Sequence, residues 1–343
     1  MTTQTLPGKA DSSSFYRWFG RKFLQYVLVL LIALTINFGL PRLAPGDPLI
    51  YFMGQEVNTL TPEQRLRMNR ELGLDASVLE QYGNFMAGAV TMKLGSSTKF
   101  GKPVTTVLRE RLPWTFLLVV PALILSPIIG IICGAYAAWN RGRRRDLLLL
   151  TSMLAVNAMP GFWIGMILIA IFAVNLGWLP SYGAVPLTSA NDFHYMVEVI
   201  RRMILPVATI TIASVGTNFL LTRSSMLETL GQDYILMAEA KGVSKRGVIY
   251  RHALRNALLP VYTHITMSLG ILVSGAVVVE TVFSYPGIGR LLYESVVARD
   301  FPMMQGVFLL ITVGVIAANM LADLTYPLVD PRARTRKPME GTA

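Results

Sequence analysis

A polar and basic interval separates two long apolar segments of the chain: DYILMAEAKGVSKRGVIYRHALRNALLP, residues Asp233 to Pro260. Fully charged side chains are too costly to place in the hydrocarbon of a bilayer. The interval is therefore predicted to lie outside a membrane as a connection between two crossings, and we call it the elbow. Its basic side chains are Lys241, Lys245, Arg246, Arg251 and Arg255.

The elbow contains the signals that begin and end short helices. Asp233 can cap a helix start, and Gly242 stands where a left-handed residue would end that helix. Ser244 can cap a second helix, which is predicted to run to about Ala257, shortly before Pro260. The elbow is therefore predicted to fold as two short helices with a bend at Gly242.

The composition of the whole chain is that of a membrane protein. The 343 residues are 53% hydrophobic, and the mean hydropathy is +0.49, which is unusual for a soluble domain. Six apolar stretches approach the length that crosses ~30 Å of hydrocarbon, so we predict an all-α membrane protein with six transmembrane helices. The stretches are Phe23 to Leu40, Trp114 to Trp139, Leu147 to Leu176, Met203 to Leu221, Pro260 to Phe283 and Met304 to Tyr326.

These stretches define the predicted domain organisation. The first crossing is not expected to be a cleavable signal, because a polar leader precedes it. The predicted parts are a cytoplasmic leader (1–22), a first transmembrane helix (23–43), an external loop (44–112), a five-helix core (113–326) that includes the cytoplasmic coupling loop 226–259, and a cytoplasmic tail (327–343).

The basic residues behind the net charge of +11 are distributed as the predicted topology requires, so the charge gives no reason to expect a nucleic-acid partner. Basic residues collect in the leader, after the second crossing at Arg141 to Arg145, after the fourth at Arg223 to Arg255, and at the end of the chain. With six crossings these groups share one side, which the positive-inside rule assigns to the cytoplasm. Both termini and the elbow are therefore predicted to be cytoplasmic. Arg223, at a crossing's end, is interpreted as a snorkelling or lipid-facing residue.

Three places at membrane depth are candidates for a pathway or gate, and each has a structural alternative. A proline-glycine break interrupts the third crossing, where a packing kink is the alternative. A carboxylate ends the fifth crossing, where an interfacial residue is the alternative. The turn that follows it suits a tight external or re-entrant backbone, in which Arg290 and Asp300 could pair. The candidates are Pro160, Phe162, Trp163, Glu280, Pro286, Gly287, Gly289 and Arg290.

The sequence offers no residues for catalysis. It lacks a G-x-x-x-x-G-K-[ST] phosphate-binding loop, an H-E-x-x-H metalloprotease motif and a G-x-S-x-G nucleophile motif. The three histidines have no metal-ligand spacing, and the single cysteine, Cys133, cannot form an intrachain disulfide. No catalytic, cofactor-binding or metal residue is assigned, and the chain is not expected to be an enzyme by itself.

The order of the motifs resembles permease subunits of binding-protein-dependent ABC importers, in the dipeptide/oligopeptide/nickel branch. A-E-A-K-G (238–242) followed by R-H-A-L-R-N-A-L-L-P (251–260) is similar to the cytoplasmic coupling segment, the so-called EAA loop, of that family. The 18 residues from Gly242 to Pro260 match the longer spacing of this branch. Further matches are A-P-G-D-P (44–48), P-G-F-W-I-G (160–165), L-P-S-Y-G (179–183) and F-S-Y-P-G-I-G-R (283–290).

The resemblance implies a type I importer permease fold and a role for the elbow. The elbow would dock into a cleft on a cytoplasmic ATPase subunit, whose closure would rotate the membrane helices from inward-open to outward-open. Gly242 is assigned to the bend, Glu239 and Lys241 to the elbow's surface or internal contacts, and Arg251 and Arg255, one helical turn apart, to a basic face. The coupling residues carried over are Asp233, Tyr234, Ala238, Glu239, Ala240, Lys241, Gly242, Arg251, His252, Arg255 and Pro260.

The resemblance also implies the partners and the cargo. The chain would lie in the cytoplasmic (inner) membrane of a prokaryote, among lipids, beside a second homologous permease, two ATPase subunits that hold ATP and Mg²⁺, and an external solute-binding protein. The external loop would receive that protein or simply cap the pore. Peptides are the predicted cargo, with nickel or metal chelates and oligosaccharides as alternatives. A channel or receptor without an ATPase is a remote rival, which would explain the crossings but not the capped, charged elbow.

Overall fold

The computed structural model describes residues 12–43, 49, 57, 59–71, 73–184 and 193–329. Across these ranges the chain is helical and contains no strand, apart from an isolated antiparallel bridge between Ser96 and Pro103. The all-α prediction is therefore confirmed. The start of the predicted leader, the A-P-G-D-P turn at 44–48 and the basic tail beyond 329 lie outside the described residues.

The helices follow the predicted apolar segments but extend beyond most of them. In chain order the α-helices of six or more residues are α1 (Ser12–Leu43), α2 (Pro62–Glu71), α3 (Val78–Thr91), α4 (Val104–Trp139), α5 (Arg144–Ala158), α6 (Gly161–Leu168), α7 (Phe193–Leu230), α8 (Asp233–Ala240), α9 (Leu254–Gly275), α10 (Val277–Val282), α11 (Ile288–Ala298) and α12 (Phe301–Val329). A π-helical segment, Ile169–Asn175, continues α6, and a second, Val248–Ala253, joins the short helix Lys245–Gly247 to α9.

Four helices within the described ranges are long and apolar enough to cross a membrane, namely α1, α4, α7 and α12. A fifth crossing follows if α5 and α6 with its π-helical extension, which meet at a bend of 103°, are one broken crossing. The bend falls at Met159 and Pro160, where the sequence predicted an interruption. The predicted crossing Pro260 to Phe283 is formed by α9 and α10 and is not among these helices. The count of six therefore stays a prediction.

Helix α7 is the centre of the bundle, with α4, α5, α6 and α9 packed around it. Glycines on α4 permit the closest of these contacts. A Cβ atom at Gly130 would lie 2.5 Å from Cβ of Asn218, and one at Gly134 would lie 2.8 Å from Cβ of Thr222. These distances are too short for any larger residue, so these glycines of α4 serve helix packing.

Helix α1 lies antiparallel to α12 and is tied to it at both ends by polar contacts. At one end, Asp323 accepts a hydrogen bond from the Tyr26 hydroxyl at 2.6 Å and pairs with the Lys22 ammonium at 2.9 Å. At the other end, Nδ2 of Asn37 donates to the carbonyl of Gln305 at 3.0 Å. The start of α1 and the end of α12 are therefore on the same side of the bundle.

Candidate functional site

The elbow is held against the bundle by one apolar cluster. Ile235 and Ala238 on α8 are 2% and 6% exposed. They pack with Ala135 and Ala138 at the end of α4 and with Met226 near the end of α7. Because burial of apolar surface fixes α8 to both helix ends, a displacement of the elbow must move α4 and α7.

The bend of the elbow is formed by Gly242 as the sequence predicted. Its φ is +76°, and no heavy atom lies within 4 Å of a Cβ atom built there. The amide of Gly242 donates to the carbonyl of Glu239 at 2.9 Å, and the amide of Val243 donates to that of Ala238 at 3.2 Å. Glycine is therefore favoured for its left-handed backbone and not for lack of space.

The helices that flank the bend differ from the sequence prediction in two respects. Asp233 is the first residue of α8 and not its cap, a position that Gln232 occupies. Ser244 does cap the next turn, since its Oγ accepts from the amide of Gly247 at 3.3 Å. The second helix does not end at Ala257, because it continues as α9 through Pro260. Packing of α9 against α7 and α12 outweighs the one backbone bond that the proline removes.

The two arms of the elbow are joined by a polar contact that sequence reasoning missed. Nδ2 of Asn256 donates to the Tyr234 hydroxyl at 2.9 Å and to the carbonyl of His252 at 3.1 Å. The contact links α8 to α9 across the bend, so the elbow is braced as one unit. The family resemblance indicates Tyr234 as a coupling residue, but nothing in the sequence around Asn256 indicates that it contacts Tyr234.

The free side of the elbow presents large apolar side chains among charged ones. Leu236, Met237 and Tyr250 are about 60% exposed or more. An exposed apolar surface with a polar rim is typical of a site that binds another protein. Among the coupling residues, Ala238 is buried and His252 is half-buried, whereas the exposed ones are Asp233, Tyr234, Glu239, Ala240, Lys241, Gly242, Arg251, Arg255 and Pro260.

Glu280 is fully buried where α10 meets the turn before α11. Its Oε1 accepts from the Thr115 hydroxyl at 2.7 Å, and its Oε2 accepts from the amide of Arg290 at 2.9 Å. The hydroxyl of Thr115 in turn accepts from the amide of Ile288 at 2.8 Å. The carboxylate therefore occupies the N-terminus of α11, where unpaired amides favour negative charge.

The glycines of the P-G-I-G-R turn are explained by Glu280 and its helix. A Cβ atom at Gly287 would lie 2.2 Å from the carboxyl carbon of Glu280, and one at Gly289 would lie 2.5 Å from Cα of Val277. The structure thus brings Glu280, Gly287, Gly289 and Arg290 together in one closed cluster. The Glu280 side chain is enclosed by protein, and its interfacial and pathway interpretations both stay predictions.

The predicted pair of Arg290 and Asp300 does not form. The Arg290 guanidinium donates to Glu294 at 2.8 Å. Asp300 is fully buried and accepts from the Ser97 hydroxyl and from the amides of Lys99 and Met303. It caps α12 and fastens the loop before α4 to it, so its function is structural.

Apart from Pro286, which is in the turn before α11, the other proposed pathway residues lie at the bend between α5 and α6. Pro160 stands immediately before α6, and the Phe162 and Trp163 side chains are 43% and 47% exposed. One turn later, a Cβ atom at Gly165 would lie 3.1 Å from the Phe283 ring, so α6 approaches α10 closely there. The gate and pathway assignments of all these residues stay predictions.

A cavity of about 240 Å³ lies between the middle parts of α4, α7 and α9. We call it the central cavity. None of the pathway residues proposed from the sequence is among the described residues that line it. Its polar groups come from Ser126, Ser214, Thr217, Asn218, His264 and Ser268.

Comparison with known proteins covers nearly the whole chain. Residues 130–335 match the family described as "Binding-protein-dependent transport system inner membrane component", and residues 15–119 match its N-terminal counterpart, "Binding-prot-dependent transport system membrane comp, N-term". The dipeptide transport system permease protein DppB of Escherichia coli (strain K12) is 36% identical over 334 residues, with 92% of this chain and 98% of the relative covered. The di/tripeptide transport system permease protein DppB of Pseudomonas aeruginosa (strain UCBPP-PA14) is 34% identical over 317 residues, with 88% and 94% covered.

Proposed function

The chain belongs to the family of binding-protein-dependent transport system inner membrane components, and from this premise we propose that it is the permease subunit of an ATP-driven peptide importer. The observation that carries the proposal is a braced elbow with an exposed apolar surface in a chain that is similar over 92% of its length to a dipeptide permease. Nickel chelates, oligosaccharides and a channel without an ATPase are not favoured, because the similar permeases are named for peptides.

The family is multi-pass in the inner membrane, and we place both termini and the elbow of this chain in the cytoplasm. The distribution of basic residues supports this orientation. The contact between Lys22 and Asp323 also supports it, since the start of α1 and the end of α12 lie on one side. Helix α8 packs against the C-terminal ends of α4 and α7, so the elbow and these two helix ends also lie on one common side of the bundle.

In this proposal the elbow is the contact for the ATPase. Leu236, Met237 and Tyr250 enter an apolar cleft, and the exposed basic residues Arg251 and Arg255 surround that contact. A lever has to be rigid to transmit force, and the elbow has three internal restraints. They are the left-handed bend at Gly242, the bond between Asn256 and Tyr234, and the apolar cluster beneath α8.

Motion of the lever reaches the membrane part through α4 and α7. Both helices end at the apolar cluster beneath α8, and both line the central cavity at their middle. Closure of the ATPase dimer would therefore change the walls of the cavity directly. We assign no residue of this chain to ATP or Mg²⁺, which would be held by the ATPase subunits.

The family implies a substrate-binding protein and an ATPase as partners. The finer assembly that we propose has a second homologous permease beside this chain, two ATPase subunits below it and one solute-binding protein outside. The external loop and α11 supply the surface for that protein. The ion pair between Lys99 and Glu294, at 3.1 Å, fastens the loop before α4 to α11 and so gives this surface a fixed shape.

Coexpression with the other subunits tests the proposal. We expect the ATPase subunits to copurify with the wild-type chain and the reconstituted complex to import peptides when ATP is supplied. Met237→Glu places a charge in the apolar contact and should release the ATPase, whereas Leu79→Glu on α3, at a site that is 80% exposed, should retain it. Peptide passage without ATP, or equal ATPase recovery with both variants, would contradict the proposal.

A further inference from the structure

The connection between α4 and α5 is the most basic five-residue stretch of the described chain. Its sequence is R-G-R-R-R, residues 141–145, and we call it the arginine turn. All four arginines are exposed, and none of them forms an ion pair with a described acidic side chain. The left-handed backbone of Gly142, with a φ of +76°, brings the four side chains together on a short surface.

The acid that follows the arginine turn does not neutralise it. The Asp146 side chain is only 2% exposed, and its two carboxylate oxygens are paired with Arg223 of α7. Its Oδ2 also accepts from the amide of Gly142 at 3.0 Å. The carboxylate therefore fixes the backbone of the turn from inside, while its charge is balanced by Arg223. The four arginines remain as a surface of uncompensated positive charge.

Side chains before and after the arginine turn mark its depth in the membrane. Tyr136, near the end of α4, is 44% exposed, and its hydroxyl accepts from Nη1 of Arg145 at 3.1 Å. Leu147 and Leu148, at the start of α5, are 55% and 71% exposed. Leu148 lies only about 4.5 Å beyond Arg145 along the helix axis. Exposed leucines favour hydrocarbon and tyrosine favours the boundary with water, so the arginine turn lies at the level of the lipid headgroups.

The arginine turn differs in kind from the surface that we assign to the ATPase. The elbow exposes Leu236, Met237 and Tyr250, which form an apolar centre among charged side chains. The arginine turn has no exposed apolar side chain of its own, and the leucines that follow it belong to α5, which with α6 is apolar enough to cross a membrane. Clustered guanidinium groups without an apolar centre suit phosphate groups better than a protein surface.

We propose that the arginine turn binds the headgroups of anionic phospholipids through the guanidinium groups of Arg141, Arg143 and Arg144. A guanidinium can donate two parallel hydrogen bonds to one phosphate. Zwitterionic lipids carry the same phosphate, but their own cation balances its charge, so the turn prefers anionic lipids. Because Asp146 joins the turn to α7 and the end of α4 packs beneath α8, a bound headgroup anchors the base of the elbow at the membrane surface.

Titration of the purified protein with phosphatidylglycerol, followed by native mass spectrometry, tests this surface. The triple variant Arg141→Gln/Arg143→Gln/Arg144→Gln should bind the lipid roughly tenfold or more weakly, because each arginine near anionic headgroups contributes about fivefold. The matched control is Arg67→Gln/Arg70→Gln/Lys93→Gln, which removes the same charge at three exposed sites on α2 and just after α3. The control should bind phosphatidylglycerol as the wild type does, and phosphatidylcholine should bind all three proteins equally.

A second measurement reads the site itself and keeps all four arginines. Leu148→Cys, in a Cys133→Ser background, carries a fluorophore next to the arginine turn. In mixed vesicles, brominated phosphatidylglycerol should quench it severalfold more than brominated phosphatidylcholine does, and high salt should reduce this difference. Val174→Cys is the control, because it is 71% exposed like Leu148 but lies at the other end of the α5 and α6 pair. Both lipids should quench it equally.

The outcomes decide between lipid, protein and neither. Weaker phosphatidylglycerol binding by the arginine variant alone, together with preferential quenching at residue 148, supports the proposal. Equal quenching at residue 148 by both lipids overturns it, as does equal binding by the arginine variant and the wild type. Loss of copurifying ATPase from the arginine variant, with lipid binding unchanged, would assign the turn to a protein partner and also overturn it. If the arginine variant does not insert, the quenching alone decides.

Discussion

Arg223 and Asp146 form a bidentate ion pair that joins α7 to the first turn of α5. Nε of Arg223 lies 2.8 Å from Oδ1 of Asp146, and Nη2 lies 2.9 Å from Oδ2. The Asp146 side chain is 2% exposed, and it also accepts from the amide of Gly142 at 3.0 Å. One carboxylate therefore fixes the turn between α4 and α5 and the C-terminal part of α7.

Removing only the arginine should destabilise the protein strongly. Arg223→Met leaves the buried Asp146 carboxylate without its counter-charge, and we expect the free energy of unfolding to fall by about 3 kcal/mol or more. The double variant Arg223→Met/Asp146→Leu should recover most of this loss, because an apolar pair needs no counter-charge. Chemical denaturation in mixed micelles measures both changes.

The control for this prediction is a more exposed ion pair on the same helix. Arg201 donates to Glu198 at 2.9 Å, and its side chain is 47% exposed. Arg201→Met should change the free energy of unfolding by less than about 1 kcal/mol. A double variant at Arg223 and Asp146 that is no more stable than the single variant would contradict the proposed cause.

A bulky residue at Gly242 should uncouple ATP hydrolysis from uptake. The space around Gly242 is open, so the cause is its φ of +76°, which costs a β-branched residue about 1–2 kcal/mol. Gly242→Val should rotate α8 relative to α9 and leave ATP hydrolysis running with reduced peptide import. Parallel assays of ATP hydrolysis and vesicle uptake measure the ratio of the two.

Asparagine provides the matched substitution at Gly242. Its short polar side chain adopts the left-handed conformation more readily than valine does, so Gly242→Asn should keep most of the coupling. Normal uptake by Gly242→Val would contradict the proposed role of the elbow as a lever. Equal uncoupling by both variants would mean that side-chain volume matters and not backbone conformation.

The sequence predicts features that depend on neighbours along the chain. The bend at Gly242, the cap at Ser244 and the interruption at Pro160 are each confirmed, because each follows from the conformational limits of one residue type. The apolar crossings are predicted for a similar reason, since hydrocarbon requires a run of about 20 apolar residues.

Long-range pairs are what the sequence does not predict. Arg223 was expected to face lipid, but it pairs with Asp146, 77 residues away. Glu280 had no partner assigned from the sequence, but its carboxylate accepts a hydrogen bond from Thr115, 165 residues away. Spacing along a chain says nothing about which distant helix supplies a partner. The position of Asn218 in the cavity wall was missed for the same reason.

Replacing Gly287 by alanine should disturb the Glu280 cluster. The added Cβ atom would lie 2.2 Å from the carboxyl carbon, so the carboxylate must move and lose its bonds from Thr115 and Arg290. We expect Gly287→Ala to lower the free energy of unfolding by about 1–3 kcal/mol. Gly39→Ala on α1, where no atom lies within 4 Å, is the control and should be close to neutral.

A double substitution tests whether Glu280 is the cause. Glu280→Ala removes the group that the new methyl would strike, so Gly287→Ala should add little further loss in that background. Denaturation of the two single variants and the double variant gives the coupling. Losses that simply add would indicate that the turn, and not the carboxylate, is sensitive to the methyl group.

The ion pair between Lys99 and Glu294 should make stability depend on acid pH. Burial opposes ionisation of Glu294, but the hydrogen bond from Lys99 and the nearby charges of Lys99, Arg290 and Arg111 outweigh it, so the pKa of Glu294 is lowered from its ordinary 4.5. A lowered folded pKa adds stability that is present above the unfolded value and is lost as the pH falls through the folded value.

Lys99→Met removes the hydrogen bond that contributes most to lowering the pKa of Glu294, so this pKa should rise toward its ordinary value. The stability difference between wild type and Lys99→Met should be constant well above pH 4.5 and should shrink below it. We expect it to stay under about 1 kcal/mol, because the pair is partly exposed.

Lys102→Met is the control, since its pair with Glu110 is more than half exposed on both side chains. Denaturation of the three proteins across acid pH measures the difference, and a difference that is unchanged by acid would rule out Glu294 as the titrating group.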